Sequence, residues 1–158
     1  MTKNLALDLT YDAPLATVSS MLADPAFRER VCDAQHATSR TVTVTGVPGQ
    51  VDVSMVQPTQ GVPGFAKKMV GSEVRINRHE DWTSPSAATL TIDAGVGSAR
   101  IAGTLSLAER DGRTAASVRL DIDVKVPLVG GKIESLVADL MTQAFDKEQS
   151  VGRAYLAG

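Results

Sequence analysis

Apolar side chains recur along this chain with two different periods, and each change of period marks a new element. Leu5, Leu7 and Leu9 alternate with Ala6, Asp8 and Thr10, which is the spacing of a strand with its leucines on one face. Tyr11-Asp12 ends that strand. Asp12 is a candidate N-cap with Pro14 in the first turn, and Leu15, Val18, Met21 and Leu22 then form a short helical stripe. Asp24-Pro25 repeats the device before a second short helix, Ala26 to about Ala34, which turns Phe27 and Val31 inward. From His36 the period becomes two. Val42 and Val44 alternate with threonines, Gly46-Val47-Pro48-Gly49 turns the chain, and Val51, Val53 and Met55 return it as a hairpin. Further strands run from Glu73 to Trp82, through Leu90 and Ile92, and through Ile101, Gly103, Leu105 and Leu107. After the Arg110-Asp111-Gly112 turn the last strand covers Ala116 to Val126. Pro127-Leu128-Val129-Gly130-Gly131 breaks it, and a long amphipathic helix follows almost to Gly158, its stripe including Ile133, Val137, Met141, Phe145 and Tyr155.

The strands are joined by short loops, which favours antiparallel neighbours, and the broad apolar face of the last helix needs a large partner. The expected fold class is α+β: one curved seven-stranded antiparallel sheet wrapped round the C-terminal helix, with two short helices after the first strand. The stretch from Pro58 to Gly71 is too long for a tight turn. Val62, Phe65, Ala66, Met69 and Val70 at helical spacing, beside Lys67 and Lys68, predict a short lid-like helix there.

Composition narrows the function classes. A chain of 158 residues holds one ordinary core, so residues 1–158 are expected to form a single domain. Aromatics are only 4% of residues, so aliphatic side chains must fill most of that core. The net charge is −2 and no basic run occurs, which argues against nucleic acid as a partner. No apolar run reaches signal length or the ~18 residues of a bilayer span, so the cytoplasm is the expected location. Cys32 is the single cysteine, which excludes an intrachain disulfide and a thiolate-rich zinc site; no metal or cofactor is expected.

The strand Glu73 to Trp82 carries the sharpest anomaly. With Val74 and Ile76 facing inward, alternation places Arg78, Glu80 and Trp82 on the same side and Glu73, Arg75, Asn77, His79 and Asp81 on the other. An arginine and a glutamate two positions apart on one face are about 7 Å apart at their α-carbons, close enough to pair. Either Arg78 anchors a ligand oxygen while Glu80 positions it or acts as a base, or the two charges meet solvent or satisfy each other. Cys32 and His36, four apart near a helix end, lack an oxyanion donor and an orienting third residue, so a structural role is the expectation. His79 shares its face with Asp81 alone, too few ligands for a metal. Gly130-Gly131-Lys132 lacks the spacing of a phosphate loop and serves the turn into the helix; Gly95-Val96-Gly97 joins two strands and opens no helix, so it is a hairpin turn. Phe65 and Met69 either gate a cavity mouth or plug it, and Met141, Phe145 and Tyr155 either line a pocket or fill it.

Strand, two short helices, six meandering strands and a long helix is the order of the helix-grip fold, and the chain resembles the START-like (SRPBCC, Bet v 1-like) superfamily of ligand-binding proteins and polyketide cyclases. Within it, Tyr11-Asp12-Ala13-Pro14, Asp24-Pro25-Ala26-Phe27-Arg28 and the run Lys125 to Glu134 resemble an actinobacterial, DUF2505-like branch of unknown function. The resemblance implies an internal cavity between sheet and C-terminal helix. Small residues such as Ala102 and Gly103 are expected to enlarge it. The leading reading is therefore a non-catalytic carrier of a small hydrophobic or amphipathic molecule, such as a lipid, polyketide-like or isoprenoid compound. The residues expected to bind it are Ile76, Arg78, Glu80, Trp82, Phe65, Met69, Met141 and Phe145, with transient contact at a membrane surface through the lysine-flanked lid. Its rivals are a polyketide cyclase-like enzyme using Arg78 and Glu80, and a structural or regulatory protein with a filled cavity. Oligomeric state is left open.

Overall fold

A computed structural model describes residues 2–46, 48–59, 62–95 and 99–158. Seven strands form one antiparallel sheet: β1 (Thr2–Tyr11), β2 (Ser39–Val44), β3 (Gly49–Pro58), β4 (Glu73–Ser84), β5 (Ala87–Asp93), β6 (Ala99–Arg110) and β7 (Arg113–Val124). Their order across the sheet is β1-β7-β6-β5-β4-β3-β2, so every neighbour but β1 with β7 is also a neighbour in sequence. Helices α1 (Leu15–Leu22) and α2 (Pro25–Ala34) follow β1, α3 (Gly64–Val70) lies between β3 and β4, and α4 (Gly130–Ala157) closes the chain. This is the α+β helix-grip arrangement that the apolar periods predict.

The core is aliphatic. Val51, Leu90, Ile101, Val118, Leu120 and Ile122 point from the sheet toward α4, which answers with Ile133, Val137, Met141 and Phe145. Alternation is strict in β7, where Thr114, Ala116, Val118, Leu120, Ile122 and Val124 are all buried. Met21, Phe27 and Tyr11 seal the end of the core beneath the C-terminal half of α4. Gly152 is the point of closest approach there, because a Cβ at that position would lie 2.6 Å from Tyr11 Cε1 and 3.2 Å from Met21 Cε.

Caps follow the sequence at one helix and depart from it at another. Asp24 caps α2, its Oδ1 accepting from the Ala26 amide at 2.9 Å, while its Oδ2 accepts from the Tyr155 hydroxyl at 2.6 Å and so ties α2 to α4. Asp12 does not cap α1. Pro14 holds the cap position, the Leu15 amide donates to Glu109 Oε1 of β6 at 2.7 Å, and Asp12 pairs instead with Arg113. The turn after β7 also differs from expectation. Its left-handed residue is Leu128 (φ 70°) and not a glycine, whereas Gly130 is small because a Cβ would lie 2.6 Å from the Val124 carbonyl oxygen. Val47, Val96 and Gly97, parts of two expected turns, lie outside the described residues.

Candidate functional site

Between the sheet and the N-terminal half of α4 lies a cavity of about 540 Å³. Val53, Met55, Ile76 and Ile92 of the sheet, Val31 and Cys32 of α2, and Ile133, Val137, Met141 and Phe145 of α4 form its walls. Val62, Ala66, Met69 and Val70 border it from the α3 segment, and Arg28, Arg78, Lys147 and Glu148 supply charge on its lining. Ala102 and Gly103 do not enlarge it. Ala102 lines a shallow concavity on the outer face of the sheet, and Gly103 is small because a side chain would collide with the Arg119 carbonyl oxygen of β7.

The charged part of the lining belongs to a buried cluster that joins three elements. Glu80 is fully buried and accepts from Arg28 Nη1 at 2.7 Å, from Arg28 Nη2 at 2.8 Å and from Trp82 Nε1 at 2.8 Å. Arg28 in turn donates through Nε to the Leu22 carbonyl at 2.8 Å. Arg78 Nη1 donates to Glu148 Oε1 at 2.8 Å, and its guanidinium stacks 4.9 Å from the Phe145 ring centre. Arg78 Nε is 2.7 Å from Glu80 Oε2, a charge contact in which the N–H is not aimed at the oxygen. Nε and Nη2 of Arg78, and the buried Tyr11 hydroxyl, consequently have no hydrogen-bond partner among the described residues.

Two guanidiniums face two carboxylates here, which is why burial of all four is tolerable. Burial alone would raise the pKa of Glu80, but Arg28 and then Arg78 outweigh it and hold the carboxyl at about 2. Burial works against the charge on Arg78 as well, and Glu148 and Glu80 overcome it, so this guanidinium stays protonated. The Tyr11 phenol is pushed well above its ordinary value by burial first and the nearby Glu148 second. The Cys32 thiol is raised by burial, the environment of an unreactive thiol.

Alternation along β4 places Arg78, Glu80 and Trp82 on the inner face. Of the residues expected to bind a ligand, Ile76, Arg78, Met69, Met141 and Phe145 come together around the cavity. Glu80 and Trp82 lie behind Arg78, off the lining, and Phe65 faces outward beneath Lys132, whose Nζ is 5.6 Å from its ring centre. Tyr155 is also off the lining, edge-on to Phe27 with ring centres 5.7 Å apart. Arg28 and Glu148 are members that reading the sequence strand by strand does not find. Glu148 did leave a signal: it interrupts the four-three stripe Met141, Phe145, Glu148, Gly152, Tyr155 with a charge. His79 bonds to Asp52 at 2.6 Å on the outer face, and no cluster able to hold a metal occurs among the described residues. Nor is any helix among them long and apolar enough to cross a membrane.

The family model described as protein of unknown function (DUF2505) matches residues 6–156. The chain belongs to the DUF2505 family. No curated protein matches it in sequence. In structure this DUF2505 chain is similar to the Zhui aromatase/cyclase from Streptomyces sp. R1128, with a TM-score of 0.69 at 12% identity over 98% of this chain and 93% of that one. It is also similar to norcoclaurine synthase from Thalictrum flavum, with a TM-score of 0.65 at 11% identity over 96% and 93% of the two chains. A third similar structure is the protein TTHA0849 from Thermus thermophilus, with a TM-score of 0.67 at 16% identity over 97% and 99%. The DUF2505 chain thus has the Bet v 1-like, SRPBCC helix-grip fold.

Proposed function

We propose that this DUF2505 chain binds a small, mainly apolar molecule in the cavity between the sheet and α4, with an oxygen-bearing end turned toward Arg78. The observation that carries this reading is the cavity itself: about 540 Å³ of space walled mainly by aliphatic side chains, with the guanidiniums of Arg28 and Arg78 on its lining. A lipid, polyketide-like or isoprenoid compound has the required chemistry. Solved structures of the same fold support a small organic ligand, since one of norcoclaurine synthase from Thalictrum flavum is a complex with dopamine and hydroxybenzaldehyde.

Charge balance refines the ligand's polar end. Arg28 and Arg78 already face Glu80 and Glu148, so a neutral carbonyl or hydroxyl oxygen fits this cluster better than a carboxylate, which would leave it with an excess buried charge. The position of Glu80 favours binding over cyclase-like catalysis. It lies off the lining, its oxygens are occupied by Arg28 and Trp82, and its pKa of about 2 makes it a poor base.

Native mass spectrometry of gently purified protein, followed by titration with the neutral dye phenylnaphthylamine, tests the reading. Bound small molecules or a saturable dye signal, lost in Ile76→Trp, are expected. Dye binding that is absent, or unchanged in that variant, would remove the cavity from consideration.

A further inference from the structure

Large apolar side chains are well hidden over most of this molecule. Four are exposed among the described residues: Phe65 and Met69 at 40%, Leu140 at 38% and Leu128 at 105%. They are not scattered. Phe65 and Met69 are on α3, Leu128 is in the turn before α4, and Leu140 is in the half of α4 that borders the cavity. Met69 and Leu140 belong to the cavity lining itself, and Lys132 over the Phe65 ring joins the turn to α3. Two of the four are thus on the cavity lining and the other two are on α3 and on the turn that Lys132 joins to it, whereas isolated exposed apolar residues would need no explanation.

The two segments that carry Phe65, Met69 and Leu128 are basic. Residues 62–72 contain Lys67 and Lys68 and no carboxylate; residues 125–133 contain Lys125 and Lys132 and again no carboxylate, although the chain as a whole has a net charge of −2. Along α4 Glu134 is turned inward, where it accepts from the Val124 amide at 2.9 Å, and the next exposed carboxylates along the chain are Glu73, after α3, and Asp139, beside Leu140. Leu128 stands at the tip, fully exposed and in a left-handed backbone conformation that a glycine would adopt more readily.

We propose that α3 and the turn from Val126 to Gly130 form a docking surface for an anionic membrane, with Leu128 and Phe65 entering the headgroup layer and Lys67, Lys68 and Lys132 meeting the lipid phosphates and carboxylates. Apolar side chains set among lysines are the composition that holds a peripheral protein in an interface of this kind. A second copy of the chain fits less well, because a two-fold contact would bring two basic patches together. The surface goes beyond the binding reading above and stands without it, since it concerns the outside of the mouth and not the occupant of the cavity. Together the two would let an apolar ligand pass between bilayer and cavity without crossing water.

Co-sedimentation of the full chain with vesicles, either phosphatidylcholine alone or equal parts phosphatidylcholine and phosphatidylserine, tests this directly. The chain is expected to sediment with the mixed vesicles and to be released by salt. Lys67→Glu with Lys68→Glu should abolish the preference for phosphatidylserine, and removing one lysine charge should weaken binding about fivefold. Leu128→Asp should reduce binding while its thermal melt stays that of the wild type, the side chain being fully exposed. Wild-type protein that stays in the supernatant with both vesicles would overturn the proposal. So would variants that sediment like the wild type, or a dimer in solution that Leu128→Asp splits, which would assign the patch to a second copy.

Discussion

The two halves of α4 solve different problems with the same helical stripe. Toward Gly130 the helix faces an open, aliphatic space and an exposed rim of Met69 and Leu140. Toward Ala157 it faces a sealed end, where Glu148 meets Arg78 and Gly152 lies against Tyr11 and Met21. The sealed half is packed tightly and balanced charge for charge; the open half leaves out contacts that a stability-driven core would make. Stability is therefore concentrated at one end and room for a guest at the other, with Arg78 and Phe145 at the border.

Removing a charge from the sealed end should have the largest effect. Glu80→Ala leaves Arg28 and the Nε edge of Arg78 buried without their carboxylate, and a loss of about 3–5 kcal/mol in urea unfolding is expected. A loss below about 1 kcal/mol would mean that the sealed end does not carry the stability assigned to it. The same carboxylate makes the protein acid-sensitive in a defined window. Its pKa falls from 4.5 to about 2 on folding, so its contribution is complete above pH 4.5 and fades as pH drops toward 2. Glu80→Gln should flatten that part of the stability-against-pH curve, and an unaltered curve would assign the acid sensitivity to other groups.

Overpacking comes next. Gly152→Ala forces a methyl group to within 2.6 Å of the Tyr11 ring and should cost about 1–3 kcal/mol in the same assay. At the open end Met69→Ala should change stability by no more than about 0.5 kcal/mol, because its side chain is already 40% exposed. If it cost as much as Gly152→Ala, α3 would be a fixed part of the core, and the contrast between the two halves would fail.

The sheet was readable because its strands alternate with few interruptions; even the inward direction of Arg78 and Glu80 followed from Val74 and Ile76. Arg28 and Glu148 were harder to see. Each sits on a helix, where one face is shared by neighbours three and four apart, and what it pairs with depends on how α2 and α4 meet β4. The start of α1 was hidden for a similar reason. Its first amide is satisfied by Glu109, which is 94 positions away in sequence, while the nearby Asp12 turns to Arg113. Architecture and family resemblance pointed to a cavity, but whether it is open or filled depends on which side chains of α3, α4 and the sheet meet across it.

Trp82 gives these two ends separate optical voices. It is the chain's single tryptophan, 2% exposed, with its indole N–H held by Glu80 at 2.8 Å and its ring off the cavity lining. Its intrinsic fluorescence therefore belongs to the sealed end, shielded from water, and shifts to the red when that end opens. A dye in the cavity reports the other end. The chain thus carries its own reference signal, by which the release of a dye from the cavity can be told apart from the loss of the fold.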